Sequence, residues 1–137
     1  MNPPSPIHPG TTAPRRTGSI LLVDDDAAIC QSLGIRLRSC GFEVRTAQDG
    51  IDATRQALAS APELLILDIN MPAGDGFAVL ERVRESPATA GTPVIVLTAS
   101  QKPGLRERAL SSGANAYFRK PYESWDLLRT IDRLLDR

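Results

Sequence analysis

No apolar run in this chain approaches the ~20 residues that a membrane span requires. The N-terminus, despite Arg15-Arg16, also lacks the apolar stretch of a signal peptide. Neither sign of charge is in excess. Sixteen lysines and arginines face sixteen aspartates and glutamates, so no broad attraction to nucleic acid or to an anionic membrane is expected. Cysteine is scarce: Cys30 and Cys40 fall in one predicted helix, about 15 Å apart at ~1.5 Å rise per residue, too far to bridge each other. They read as reduced thiols of a cytoplasmic protein. The one histidine, His8, has no acid or base beside it and reads as a solvated tail residue. No internal repeat appears.

What is present fits a single domain behind a short leader. Residues 1–18 carry Pro3, Pro4, Pro6, Pro9 and Pro14 with almost nothing apolar to bury, which predicts a disordered or polyproline-like segment. From residue 19 to 137 the apolar content is enough for a real core. Strand and helix signals alternate there. Apolar or alternating runs at 19–24, 42–46, 63–68, 93–98 and 114–119 predict strands. Helical spacing is predicted over 27–40, where Ile29, Leu33 and Leu37 share a face and Gly41 supplies the stop. Further helices are predicted over 51–61, from Gly76 onward, over 105–112 and over 123–135. Five such β/α units imply a parallel sheet with helices on both faces, a doubly wound α/β fold.

Several of the strands end in reactive side chains. Val23-Asp24-Asp25, Leu67-Asp68-Ile69-Asn70-Met71-Pro72 and Phe118-Arg119-Lys120-Pro121 each pass from apolar residues into charge, and the run from Val94 to Ala99 carries the hydroxyl of Thr98. In a doubly wound sheet, ligands sit beyond the carboxyl ends of the strands. Carboxylates, an ammonium and a hydroxyl at that edge suit a divalent cation held together with an anion. The reading is a phosphoryl-accepting site.

With these motifs in order over nearly everything outside the leader, the chain closely resembles the receiver domain of two-component response regulators. The resemblance implies a flavodoxin-like strand order of 2-1-3-4-5. It makes Asp68 the phosphoacceptor, and Asp24 and Asp25 the acidic pair that holds Mg²⁺, Asp25 directly and Asp24 through water. Asn70 would add its backbone carbonyl to the metal. Thr98 resembles the switch hydroxyl, Lys120 the lysine that pairs with the phosphoryl group, and Tyr117 the aromatic that turns inward on activation. Lys120-Pro121 matches a peptide bond that is usually cis in relatives. Such a domain takes its phosphoryl group from a histidine kinase or phosphotransfer protein. It catalyses its own phosphorylation and dephosphorylation, yet it is a signalling switch rather than an enzyme.

The residue types suit those roles on chemical grounds. Mg²⁺ takes oxygen ligands octahedrally and keeps several waters, so two carboxylates, a carbonyl and a phosphoryl oxygen suffice. Phosphoryl transfer needs mainly positioning and charge neutralisation. An ionised Asp68 beside Mg²⁺ and Lys120 needs no general base. Asp26 is assigned the duller task of capping the helix at Ala27, and Asp75 before Gly76 that of a cap and turn residue. Asn70 and Ser100, small and polar beside the site, are expected not to block hydrolysis of the phosphoryl group.

Two rivals are weaker. Asp24-Asp25-Asp26 also forms the Asp-x-Asp of haloacid-dehalogenase-like phosphatases, but Ala27-Ala28 follow it where that family has Gly and then Thr or Val. That reading also leaves the run from Asp68 to Pro72 unexplained. A receiver-like interaction module that no longer takes phosphate would be expected to lack one of the acids or the lysine; none is missing. With nothing following Arg137 and no basic recognition helix, a stand-alone receiver or one cut from a longer protein is expected. Neither direct nucleic-acid binding nor membrane binding is expected. Its output face would be the fourth helix, fifth strand and last helix, with Arg106, Arg108, Tyr117, Arg119, Trp125 and Arg129. That face could hold a downstream protein or a second phosphorylated copy.

Overall fold

The computed structural model describes residues 16–71 and 76–136; most of the predicted leader, His8 and Asp75 lie outside them. In chain order the elements are β1 (Ser19–Val23), α1 (Ala27–Ser39), β2 (Glu43–Ala47), α2 (Gly50–Ser60), β3 (Leu64–Leu67), α3 (Gly76–Glu85), β4 (Val94–Thr98), α4 (Leu105–Ser111), β5 (Ala116–Arg119) and α5 (Ser124–Leu134). The strands form one parallel sheet in the order β2-β1-β3-β4-β5, the order expected.

The apolar runs of β1, β3 and β4 follow from this placement. Covered on both faces, a central parallel strand must be apolar at odd and even positions alike. Leu21, Val23, Leu65, Leu67, Val94 and Val96 pack against Ala53, Ala57, Val79, Leu80 and Val83 of α2 and α3. The alternate residues Ile20, Leu22, Leu64, Ile66, Ile95 and Leu97 pack against Leu33 and Leu37 of α1 and Leu127 and Ile131 of α5. At the sheet's margin, β2 alternates between exposed and covered positions, as expected of an edge strand.

Helix ends carry their own signals. Asp26 caps α1 as expected, its Oδ1 accepting the Ala28 and Ile29 N–H groups at 2.9 and 3.3 Å. Asp49 does the same for α2, accepting from the Asp52 N–H at 2.8 Å. Beyond α1, Gly41 has φ +113°, and a Cβ there would lie 2.1 Å from the Arg16 carbonyl oxygen. Only glycine fits both demands.

Three expectations need correction. The buried stripe of α1 runs through Cys30, Leu33, Gly34 and Leu37, while Ile29 is only half-buried; the stripe is turned by one residue so that Cys30 meets the sheet. The last strand starts at Ala116 rather than Ala114, because the Asn115 side-chain oxygen takes the Val94 N–H at 2.8 Å while its own N–H donates to the Val94 carbonyl at 2.7 Å. The contacts of the domain also reach back to Arg16, within the predicted leader. Its N–H donates to the Cys40 carbonyl at 3.0 Å, and its Nε bonds both Asp132 carboxylate oxygens at 2.9 and 3.0 Å.

Candidate functional site

Strand register builds the site. Val23 of β1 is aligned with Leu67 of β3, so the next residues, Asp24 and Asp68, leave the sheet side by side. Their backbones stay anchored: Asp24 N–H donates to the Ala47 carbonyl at 3.1 Å and Asp68 N–H to the Val23 carbonyl at 2.9 Å. On the other side of β3, Thr98 ends β4, and its carbonyl accepts the Lys120 N–H at 2.9 Å just after β5. A cis Lys120-Pro121 peptide bond follows.

Asp24 and Asp68 are 3% and 7% exposed, an unusual degree of burial for two neighbouring carboxylates. Asp25 remains exposed. One oxygen from each of the three lies within 4.8 Å of the others. Mg²⁺ favours carboxylate oxygens and keeps several waters of its own, and this cluster offers it that kind of donor. Three acids facing one another call for positive charge, and Lys120 offers only part of it. Its Nζ lies 2.7 Å from Asp24 Oδ2 and 3.7 Å from Asp68 Oδ2.

The two buried carboxylates are also held by backbone. Asp24 Oδ1 accepts the Asp26 N–H and Asp68 Oδ1 the Asn70 N–H, both at 2.9 Å. Burial pushes the Asp68 carboxyl above its ordinary pKa; the Asn70 N–H and the Lys120 charge oppose this, while the charges of Asp24 and Asp25 add to it. Burial acts to lower the Lys120 pKa, but its hydrogen bond to Asp24 and the Asp24 and Asp68 charges outweigh it, so the ammonium is raised.

Thr98 is fully buried, and its Oγ1 accepts the Ser100 N–H at 3.2 Å, which ties the strand end to the loop before α4. Half-buried Tyr117 is aligned with Val96 in the sheet and packs on the α2–α3 side of the core. Of the residues expected at the output face, Arg108 is turned away. Its guanidinium sits 3.7 Å over the Phe77 ring of α3.

Two contributors escaped the sequence reading. Cys30 donates its thiol to the Asp24 carbonyl at 3.3 Å from beneath the site, and burial raises its pKa. Gly76 opens α3 directly against the residues that follow β3: a Cβ there would lie 2.4 Å from Ile69 Cα and 2.6 Å from the Asp68 carbonyl oxygen. A glycine at a predicted helix start was visible in the sequence. The close approach that demands it was not.

Comparison with known proteins bears on the fold and the family. Residues 20–132 match the family model of the response regulator receiver domain. The chain is 40% identical over 128 residues to the transcriptional regulatory protein PrrA of Mycobacterium bovis, covering 93% of this chain and 52% of that protein. It is 37% identical over 118 residues to the DNA-binding dual master transcriptional regulator RpaA of Synechocystis, covering 86% and 49%. The chain thus spans about half the length of these curated relatives. Among solved structures it is similar to the chemotaxis protein CheY4 of Vibrio cholerae, with 32% identity, a TM-score of 0.80 and coverage of 87% and 99%. It is also similar to the receiver domain of the sensor histidine kinase PA1611 from Pseudomonas aeruginosa, whose active-site cleft coordinates a magnesium ion. That match has 31% identity, a TM-score of 0.81 and coverage of 89% and 100%.

Proposed function

The chain belongs to the response regulator receiver domain family of two-component signalling, and on that basis we propose that it takes a phosphoryl group onto Asp68 and thereby alters a partner-binding surface. The donor would be a histidine kinase or a phosphotransfer protein, in the cytoplasm. The observation that carries this reading is the way Asp68 is held. Its Oδ1 is engaged by the Asn70 N–H, while Oδ2 faces Lys120 at 3.7 Å. A carboxylate anchored through one oxygen presents the other as a nucleophile.

Attack by Oδ2 forms the new oxygen–phosphorus bond as the bond from phosphorus to the donor nitrogen breaks. The leaving imidazole keeps that electron pair and takes up a proton. Little covalent work falls to the protein beyond alignment and charge neutralisation. Asp24, Asp25 and Asp68, with the Asn70 carbonyl, would hold Mg²⁺, which when bound neutralises charge on the carboxylates and on the phosphoryl oxygens. Lys120, on a flexible stem, would leave Asp24 and follow the phosphoryl group.

Thr98 would donate its hydroxyl to the phosphoryl group, and through Ser100 this reaches the loop before α4. Tyr117 would reorient in response. The output surface would be the face made by α4, β5 and α5, carrying Arg106, Tyr117, Arg119, Trp125 and Arg129. Hydrolysis of the acyl phosphate would restore Asp68, with small Asn70 and Ser100 leaving water a path.

Incubation with acetyl phosphate tests the reading. A single phosphoryl adduct is expected in the presence of Mg²⁺ and not in its absence, and Asp68→Ala should abolish it. Loss of the nucleophile with Asp24→Asn while Asp68→Ala retains the adduct would point instead to the phosphatase pattern.

A further inference from the structure

Strand β2 ends the sheet on one side. Glu43 N–H donates to the Gly18 carbonyl at 2.9 Å, and the Ala47 carbonyl accepts the Asp24 N–H at 3.1 Å. With a period of two, Glu43, Arg45 and Ala47 therefore turn their backbone groups to β1, while Val44 and Thr46 turn theirs outward. A free edge of this kind is a template for another strand. Here both outward carbonyls are taken by side chains from the neighbouring helices. Arg38 Nη2 of α1 donates to the Val44 carbonyl at 2.8 Å, and Gln56 Nε2 of α2 to the Thr46 carbonyl at 2.9 Å.

Both side chains are aimed by a residue one helical turn earlier. Gln56 Nε2 also donates to Asp52 Oδ2 at 3.0 Å, which steers the amide across the strand end. Arg38 folds back over Gly34, where a Cβ would meet Arg38 Nη1 at 3.2 Å and nothing beyond the Arg38 guanidinium lies among its nearest neighbours. Glycine weakens a helix interior. What Gly34 supplies in return, at a buried position of α1, is room for this guanidinium.

We propose that Arg38 and Gln56 guard the β2 edge against pairing with β2 of a second copy of this chain. The occupant follows from the strand's own charges. Glu43 and Arg45 are both exposed and flank Val44. A two-fold axis at Val44 would set two β2 strands antiparallel, with the Val44 residues exchanging hydrogen bonds and Glu43 of each copy opposite Arg45 of the other. Opposite charges directly across an antiparallel pair stabilise it, so this edge attracts its own copy where two like charges would repel it. The Arg38 guanidinium occupies the carbonyl that the central rung needs, and Gln56 occupies the next outward one. Two side chains thus close an edge whose register and charge are self-complementary.

Sedimentation equilibrium of the full chain tests this, in EDTA and without a phosphodonor so that metal and phosphoryl loading do not enter. Arg38→Ala with Gln56→Ala should dimerise at concentrations about tenfold or more below any at which the unaltered chain associates. Adding Glu43→Arg, which sets arginine against Arg45 of the other copy, should return that variant to single chains; adding Arg45→Glu as well should restore the dimer. Circular dichroism checks that each variant is folded. Should the alanine pair not fold, Arg38→Met with Gln56→Met keeps the stems, removes the donors and is expected to dimerise in the same way. A folded pair that associates no more than the unaltered chain would overturn the proposal. So would association that ignores Glu43→Arg, or a dimer of the unaltered chain that Glu43→Arg dissociates.

Discussion

The Lys120 ammonium lies 2.7 Å from the Asp24 carboxylate, and the side chains of both are largely shielded from solvent, at 15% and 4% exposure. Removing the cation would leave a buried carboxylate without its partner, beside two more acids. Lys120→Ala should therefore destabilise the metal-free domain by about 3 kcal/mol in urea unfolding at neutral pH. The raised Lys120 pKa fixes the pH window. Because the folded value exceeds the unfolded one, this stabilisation is fully present below the unfolded pKa of about 10.4 and is lost as pH rises through the folded value. The two proteins should converge in stability only at strongly alkaline pH.

At neutral pH the ionised Asp68 works against the fold where the charged Lys120 supports it, although both contributions decline as pH rises. The Asp68 carboxyl is raised by burial, so the folded state holds the proton to higher pH than the unfolded state does. Its contribution to stability is then most favourable below the unfolded pKa of about 3.9 and declines as pH rises through the raised value. At neutral pH the ionised group is a cost of keeping a nucleophile in place. Asp68→Asn should raise the stability of the metal-free domain by about 1 kcal/mol, seen as a higher Tm. The gain should vanish in acid, where the wild-type carboxyl is protonated.

Divalent cations should remove much of this mutual repulsion. Mg²⁺ at about a hundred times its Kd should stabilise the folded chain by about 2.7 kcal/mol. Asp25 is exposed, so Asp25→Asn should leave the metal-free melting temperature nearly unchanged while most of the Mg²⁺-induced rise disappears. Parallel thermal melts with Mg²⁺ and with EDTA measure both.

Gly76→Ala tests how α3 is seated. The added methyl would meet Ile69 Cα at 2.4 Å, backbone that has little room to yield. A loss of about 2 kcal/mol or more is expected. Phosphoryl loading should slow as well, because the residues displaced are those that follow Asp68.

How far these features were legible in the chain depends on their range. The strand-end charges of Asp24, Asp68 and Lys120 could be read because a parallel sheet with both faces covered converts an apolar run into an address at its carboxyl edge. Asp26 was legible as a cap because capping is local. The partner of Lys120 was not legible, since Asp24 and Asp68 are equally plausible from sequence and the 2.7 Å contact is set by how β5 meets β4. Arg16 was assigned to a leader by composition, but its ion pair with Asp132 spans almost the whole chain, and no periodicity reports such a contact. Arg108 was expected at the output face. Its place over Phe77 depends on the packing of α4 against α3.

The central claim is that Asp68, and no other carboxylate at the sheet edge, becomes the acyl phosphate. Borohydride reduction of the chain loaded with acetyl phosphate and Mg²⁺, followed by peptide mass mapping, tests it most directly, because reduction converts a phosphorylated aspartate to homoserine. The account predicts homoserine at position 68 alone, dependent on Mg²⁺. Homoserine at position 24 or 25, or an unmodified Asp68 in a folded and metal-loaded chain, would contradict it.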